Sequence, residues 1–185
     1  FIYETKEKFD CTEALIMPKG KLNLPVTSEK GDIAFKSKTC DYHIDRTEDG
    51  RHIYCKYERC FNHTDLEADI YLKQPPMDTM VIATPWKEDK KAFYYNQKIT
   101  CMNASGYVKV KGRTYTFDSS KDFGILDWGR GVWTYDNTWY WGSGNMDIDG
   151  HSFGFNIGYG FGDTTAASEN MLFYDGKCHK LDLVD

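Results

Sequence analysis

The sequence predicts an all-β protein, and three observations predict it. Aromatic residues make up 16% of the chain and Gly outnumbers Pro by 16 to 5, a balance that suits twisted strands joined by tight turns. From Gly31 onward, short stretches of alternating apolar and polar residues recur at close spacing with turn dipeptides between them. No segment carries a 3.6-residue apolar period long enough for a helix. Sequential strands joined this way make an antiparallel meander, and 185 residues suffice for one domain with its own core.

In chain order, FIYETKEKF has the composition of a strand, and LIMPKGKLNLPVTSEKG follows as an irregular link punctuated by Pro18, Gly20 and Pro25. GDIAFKSK and the stretch from Asp41 to Ile44 read as strands. Asp49-Gly50 then marks a hairpin into RHIYCKY, where Ile53, Cys55 and Tyr57 alternate with His52, Tyr54 and Lys56. From Leu66 to Lys73, Leu66, Ala68, Ile70 and Leu72 share one face, and Pro75-Pro76 ends the strand. TMVIAT reads as a buried strand and AFYYNQKITCM as the next. GYVKVKG and RTYTF then meet across Lys111-Gly112.

The most unusual stretch is FGILDWGRGVWTYDNTWYW, residues 123–141, which holds four of the five tryptophans together with Asp127 and Arg130. If 132–141 is extended, Trp133, Tyr135, Asn137, Trp139 and Trp141 share one face and form an aromatic wall. A charge beside such a wall must be paired, hydrogen-bonded or at a cavity, since burying it alone costs several kcal/mol or more. Asp127 and Arg130 are therefore the first candidates for a polar anchor, with Trp128 between them. The same pair also suits a structural ion bridge that pins a bend, and the aromatic face also suits plain core.

A turn at Asp147 to Gly150 leads into HSFGFNIGYGFGD, where Phe153, Phe155, Ile157, Tyr159 and Phe161 would share one face. The opposite face carries Gly154, Gly158, Gly160 and Gly162, leaving space for a ligand or for a closely packed neighbour, and Asn156 is the polar side chain in that gap. SENMLFYDGKCHKLDLV reads as a final hairpin across Asp175-Gly176.

Several function classes are set aside. The net charge of −5, with no run of like charge, argues against nucleic acid as a partner, and nothing approaches a membrane span. The five histidines and six cysteines lack metal-ligand spacing, and GYGFGD continues a strand rather than opening a helix, so no metal and no cofactor are expected. Six cysteines allow three bridges, but a domain of this size does not need them. Free thiols in a cytoplasmic protein are the expectation, and the sequons at Asn62 and Asn103 are discounted. What remains is binding, or acid/base chemistry without a metal, in an aromatic cavity. Asp127, Arg130, Glu169, Tyr95 and Lys98 are its polar groups, since a carboxyl can act as a general acid and aromatic faces can stabilise a developing carbocation, chemistry suited to an alkene-like substrate.

Five segments, AFYYNQKITCMNASGYVKVKG, FGILDWGRGVWTYDNTWYWGSG, FGFNIGYGFGD, SEN and YDGKCHKLD, carry a resemblance. Over about residues 60–185 the chain resembles a bacterial domain family of unknown function whose hallmark is Leu-Asp-Trp-Gly-Arg-Gly-x-Trp, here Leu126 to Trp133. More distantly, Tyr95, then Asp127-Trp128-Gly129, then Trp139-x-Trp141 is similar to the order found in carotenoid hydratase and AttH-like proteins. In this chain the Trp-Gly pair stands nearer the Asp than it does there. The resemblance implies a lipocalin-like antiparallel β-barrel or β-sandwich, one part of a two-half protein. Residues 1–30 would then be an irregular remnant of a preceding β half, and 31–185 the lipocalin-like domain.

The expected partner is a lipophilic small molecule, held against Trp133, Tyr135, Trp139 and Trp141 with Asn156 nearby. In an enzymatic version, of hydratase, cyclase or isomerase type, Asp127 handles the proton and Tyr95 assists. A carbohydrate-binding sandwich and a purely structural domain are the alternatives, and nothing in the sequence sets an oligomeric state.

Overall fold

The computed structural model describes every residue except 1, 5, 7, 8, 12–17, 19, 61–63, 166 and 183–185; at 3, 4 and 9–11 it describes the backbone alone. The sequon at Asn62, the Cys11 side chain and the chain end from Leu183 to Asp185 lie outside the described residues. The first strands are β1 (Ile2–Glu4), β2 (Phe9–Cys11), β3 (Ile33–Lys36), β4 (Cys40–Arg46), β5 (Gly50–Arg59), β6 (Thr64–Lys73) and β7 (Met80–Pro85). They are followed by β8 (Phe93–Val110), β9 (Arg113–Phe117), β10 (Phe123–Val132), β11 (Tyr140–Ile148), β12 (His151–Tyr159), β13 (Met171–Tyr174) and β14 (Lys177–Lys180). The fold is all-β, its ladders are antiparallel, and among the described residues neither large sheet closes into a barrel, so the meander is an open one. No helix among these residues is long and apolar enough to cross a membrane.

The chain divides into two compact units, residues 1–72 with 105–118, and residues 73–104 with 119–185. In the first, β3, β4, β5 and β6 lie side by side, and the last residues of β8 pair with β9 across Lys111-Gly112. Both turn residues have positive φ, as a two-residue hairpin loop of the right twist requires. Cys60 and Val110 are buried there against Ile2, Tyr57, Leu66, Val108 and Tyr115. The opposite side of this sheet is polar, with His52 bonded to Asp69 and Tyr107 to Glu67.

In the second unit, β7 and β10 flank the first part of β8, and β11 to β14 form a four-stranded sheet in sequence order. The burial of β7 alternates strictly, and Met80 and Ile82 pack with Tyr94, Met171 and Phe173 around Trp86. This two-layer packing is the core that carries the site.

Three expectations change. The strand through AFYYNQKITCM and the one through GYVKVKG are a single 18-residue strand, β8, which absorbs a register shift opposite Gly124 to Leu126 with Cys101 at positive φ. Residues 133–139 are not a strand: β10 ends at Val132 and β11 begins at Tyr140, so no ten-residue aromatic wall forms. Phe161 does not share a face with Phe153 and Phe155. β12 stops at Tyr159, Gly160 takes φ +87°, and the chain turns so that Phe161 packs into the core.

Candidate functional site

The site grows from the pairing of β7, β8 and β10. Alternation puts Tyr94, Asn96 and Lys98 of β8 on the inner face, beside Met80, Ile82 and Thr84 of β7. The register sets Asp127 directly across from Lys98, and Gly129 across from Asn96. Lys98 is almost fully buried, so its ammonium must be compensated. Its Nζ donates to Asp127 Oδ2 at 2.9 Å, stands 3.2 Å from Glu169 Oε2, and lies 4.8 Å from the centre of the Trp141 ring. Asn96 Nδ2 donates to Asp127 Oδ1 at 2.7 Å and to the Trp128 carbonyl at 2.9 Å. The Glu169 carboxylate is buried, whereas that of Asp127 opens to solvent.

Glu169 is brought in by Asn156, which is fully buried on β12. Its Nδ2 donates to the Glu169 carbonyl at 2.8 Å, and its Oδ1 accepts from Trp141 Nε1 at 2.9 Å. The next residue, Asn170, accepts from the Gly158 backbone N–H at 2.6 Å, strapping the Ser168-Glu169-Asn170 segment to β12. The glycine face of β12 is filled by these groups. A Cβ at Gly158 would stand 2.0 Å from Glu169 Oε1, and one at Gly154 would crowd Cys101, Thr100 and Asn145. The space those glycines leave therefore admits this chain's own side chains.

Above the charged floor lies an open cleft of ≈ 390 Å³, walled by Trp133, Trp139, Trp141 and Phe161. Phe161 joins the walls: its ring meets Tyr94, Trp86, Trp139 and Trp133 edge-on at centroid distances of 4.6, 5.1, 5.4 and 6.2 Å. Trp133, Trp139 and Trp141 remain 54%, 52% and 46% exposed, so their rings are available to a ligand. Burial, followed by the nearby charges of Glu169 and Asp127, pushes the Tyr94 hydroxyl far above the ordinary phenol range.

The residues singled out in the sequence separate into two groups. Lys98, Asp127, Trp133, Trp139, Trp141 and Glu169 line the cleft, with Asn156 behind them. Arg130 and Tyr95 do not line it: they face each other in the ladder on the outer side of β10 and β8, with Trp128, whose ring meets Tyr95 at 5.9 Å. Asp127 and Arg130 are three residues apart on a strand, so alternation sends them to opposite faces, and the partners of Asp127 are Lys98 and Asn96 instead. Tyr135, at the tip of the 133–139 loop, is fully exposed and outside the cleft.

Tyr94, Asn96 and Phe161 were not singled out. The first two were readable from Lys98, since they precede it at i−4 and i−2 on one strand face. Phe161 was not, because its orientation depends on the backbone turn at Gly160. No curated protein and no solved structure matches the chain. The profile of a domain of unknown function, DUF2804, matches residues 1–185, reaching beyond the 60–185 span of the motif resemblance, and the chain belongs to this family.

Proposed function

We propose that the second unit binds a small molecule with a lipophilic body, seated against Trp133, Trp139, Trp141 and Phe161 with its polar end on Asp127. The observation that carries this reading is the convergence of half-exposed tryptophans on one charged cluster within one cleft. Its volume falls within the range of small-molecule sites, roughly 300–1,000 Å³. The walls are preformed, because Asn156 fixes the edge of Trp141 and Phe161 wedges between the other rings. The resemblance of Asp127-Trp128-Gly129 and Trp139-x-Trp141 to the motif order of carotenoid hydratase and AttH-like proteins favours the same ligand class. In an enzymatic version, Asp127 is the group that exchanges a proton with the ligand, since it is the carboxylate of the cluster that opens to the cleft. Tyr95, on the outer face, takes no part.

A second reading, stacking of a sugar ring on Trp133 and Trp139, is favoured by one observation: the cleft is open and both rings are about half exposed. Native mass spectrometry of the protein purified from its own organism, followed by denaturing extraction, tests the choice. A stoichiometric hydrophobic passenger, lost in the Trp139→Ala variant, is the expected result. An empty protein whose tryptophan fluorescence responds to oligosaccharides and not to lipophiles would overturn it.

A further inference from the structure

We infer that the ligand of this cleft carries a positively charged head group, an alkylammonium or a quaternary ammonium. The inference rests on the small-molecule reading above and deepens it. The floor sets one ammonium, Lys98, against two carboxylates, Asp127 and Glu169, so the site has one net negative charge. Lys98 cannot serve an incoming anion. Its Nζ donates to Asp127, stands 3.2 Å from Glu169 Oε2 and lies over the Trp141 ring, so an anionic head would meet two carboxylates around an ammonium that they already compensate.

The two acids differ in what they offer. Glu169 is buried, and its Oε2 faces Lys98 in ion-pair geometry without a directed hydrogen bond, so its charge is felt in the cleft as a field. Asp127 is the open carboxylate and can touch the head group directly.

The walls suit the same partner. Indole and phenyl faces carry the negative side of the ring quadrupole, and cages of such rings are how proteins hold quaternary ammonium groups. The site already contains one such contact, Lys98 Nζ over Trp141. Trp133, Trp139 and Phe161 present further rings around the opening. A neutral hydroxyl could also bond to Asp127, but it would gain nothing from the net charge or from the ring faces.

The test titrates the full chain at low salt with four short probes, hexyltrimethylammonium, hexanol, hexanesulfonate and methyl glucoside, read by calorimetry and tryptophan fluorescence. The ammonium is expected to bind about tenfold or more tightly than hexanol, to weaken with added salt, and to leave hexanesulfonate without measurable binding. Asp127→Asn is expected to narrow the preference for the ammonium over hexanol to about threefold or less. Equal binding of the ammonium and hexanol, or tighter binding of the sulfonate, overturns the head-group inference and leaves the small-molecule reading standing. Response to methyl glucoside alone, or to none of the four, overturns both. If Asp127→Asn loses its fold by circular dichroism, the ranking of probes on the unaltered chain decides the matter by itself.

Discussion

Lys98 in the second unit and Lys109 in the first make the same set of contacts in opposite surroundings. Each sits on β8, each pairs with at least one carboxylate, Asp127 and Glu169 for Lys98 and Glu67 for Lys109, and each ammonium lies 4.8 Å from the centre of an aromatic ring, Trp141 for Lys98 and Tyr107 for Lys109. The difference is water: the Lys98 side chain is 3% exposed and that of Lys109 is 50% exposed. Around Lys109, solvent screens the charges, and the contacts decorate a polar sheet face. Around Lys98 the same contacts are obligatory, because a buried ammonium without them would not be tolerated, and they fix the positions of Asp127, Glu169 and Trp141 relative to one another. By distance alone the two clusters are alike. Burial is what separates them.

Removing each lysine in turn should give effects of very different size. Lys98→Met leaves the Asp127 and Glu169 carboxylates uncompensated and is expected to lower the free energy of unfolding by ~3 kcal/mol, the low end for a broken buried pair because Asp127 retains contact with water. Adding Asp127→Asn and Glu169→Gln to that variant is expected to recover part of the loss in urea denaturation. Next in size is Asn156→Ala, which strips Trp141 Nε1 of its acceptor and the Glu169 carbonyl of its donor. About 2 kcal/mol of destabilisation is expected for those unsatisfied groups, together with a red shift of tryptophan emission as Trp141 loosens. Lys109→Met, by contrast, is expected to leave the urea midpoint within experimental error.

Titration sharpens the exposed half of the comparison. One hydrogen bond, from the Tyr107 hydroxyl to Glu67 at 2.5 Å, lowers the Glu67 carboxyl, with Lys109 adding to the effect, and pushes Tyr107 up to about 12. For Glu67, the folded state favours the charged form. Its contribution is present above the ordinary carboxylate range and disappears as pH falls through the lowered value. For Tyr107, the folded state favours the neutral form, so its contribution is present below the ordinary phenol value of ~10 and disappears as pH rises through about 12. Glu67→Gln is expected to bring the Tyr107 ionisation, followed by ultraviolet absorbance, back toward that ordinary value. An unchanged Tyr107 titration would remove the hydrogen bond from the account.

The fold was legible in the sequence wherever alternation and turn dipeptides spoke together. The hairpins across Lys111-Gly112 and Asp175-Gly176 follow period-two patterns that meet at residues of positive φ, and the strand from Leu66 to Lys73 follows one that stops before Pro75-Pro76. Lys98, Asp127 and Glu169, which line the cleft, are charges set among aromatic or glycine-rich neighbours, but so is Arg130 on the outer face, so composition alone does not separate them. Pairing was not legible either. Asp127 and Arg130 stand close in sequence, yet strand alternation sends them to opposite faces, and the partner of Asp127 lies 29 residues away on β8. The 133–139 loop and the turn at Gly160 depend on contacts that periodicity does not encode, and so the positions of Tyr135 and Phe161 could be found only in three dimensions.

Whether the cleft over Lys98 takes a ligand is decided by the five tryptophan indole N–H signals in a nitrogen-edited NMR spectrum during titration with hexyltrimethylammonium, and with hexanol in parallel. The signals of Trp133, Trp139 and Trp141 are expected to move with either probe, while Trp128, on the outer face of β10, stays in place. Movement of Trp128 alone, or five unmoved signals with both probes, would contradict a ligand site in the cleft.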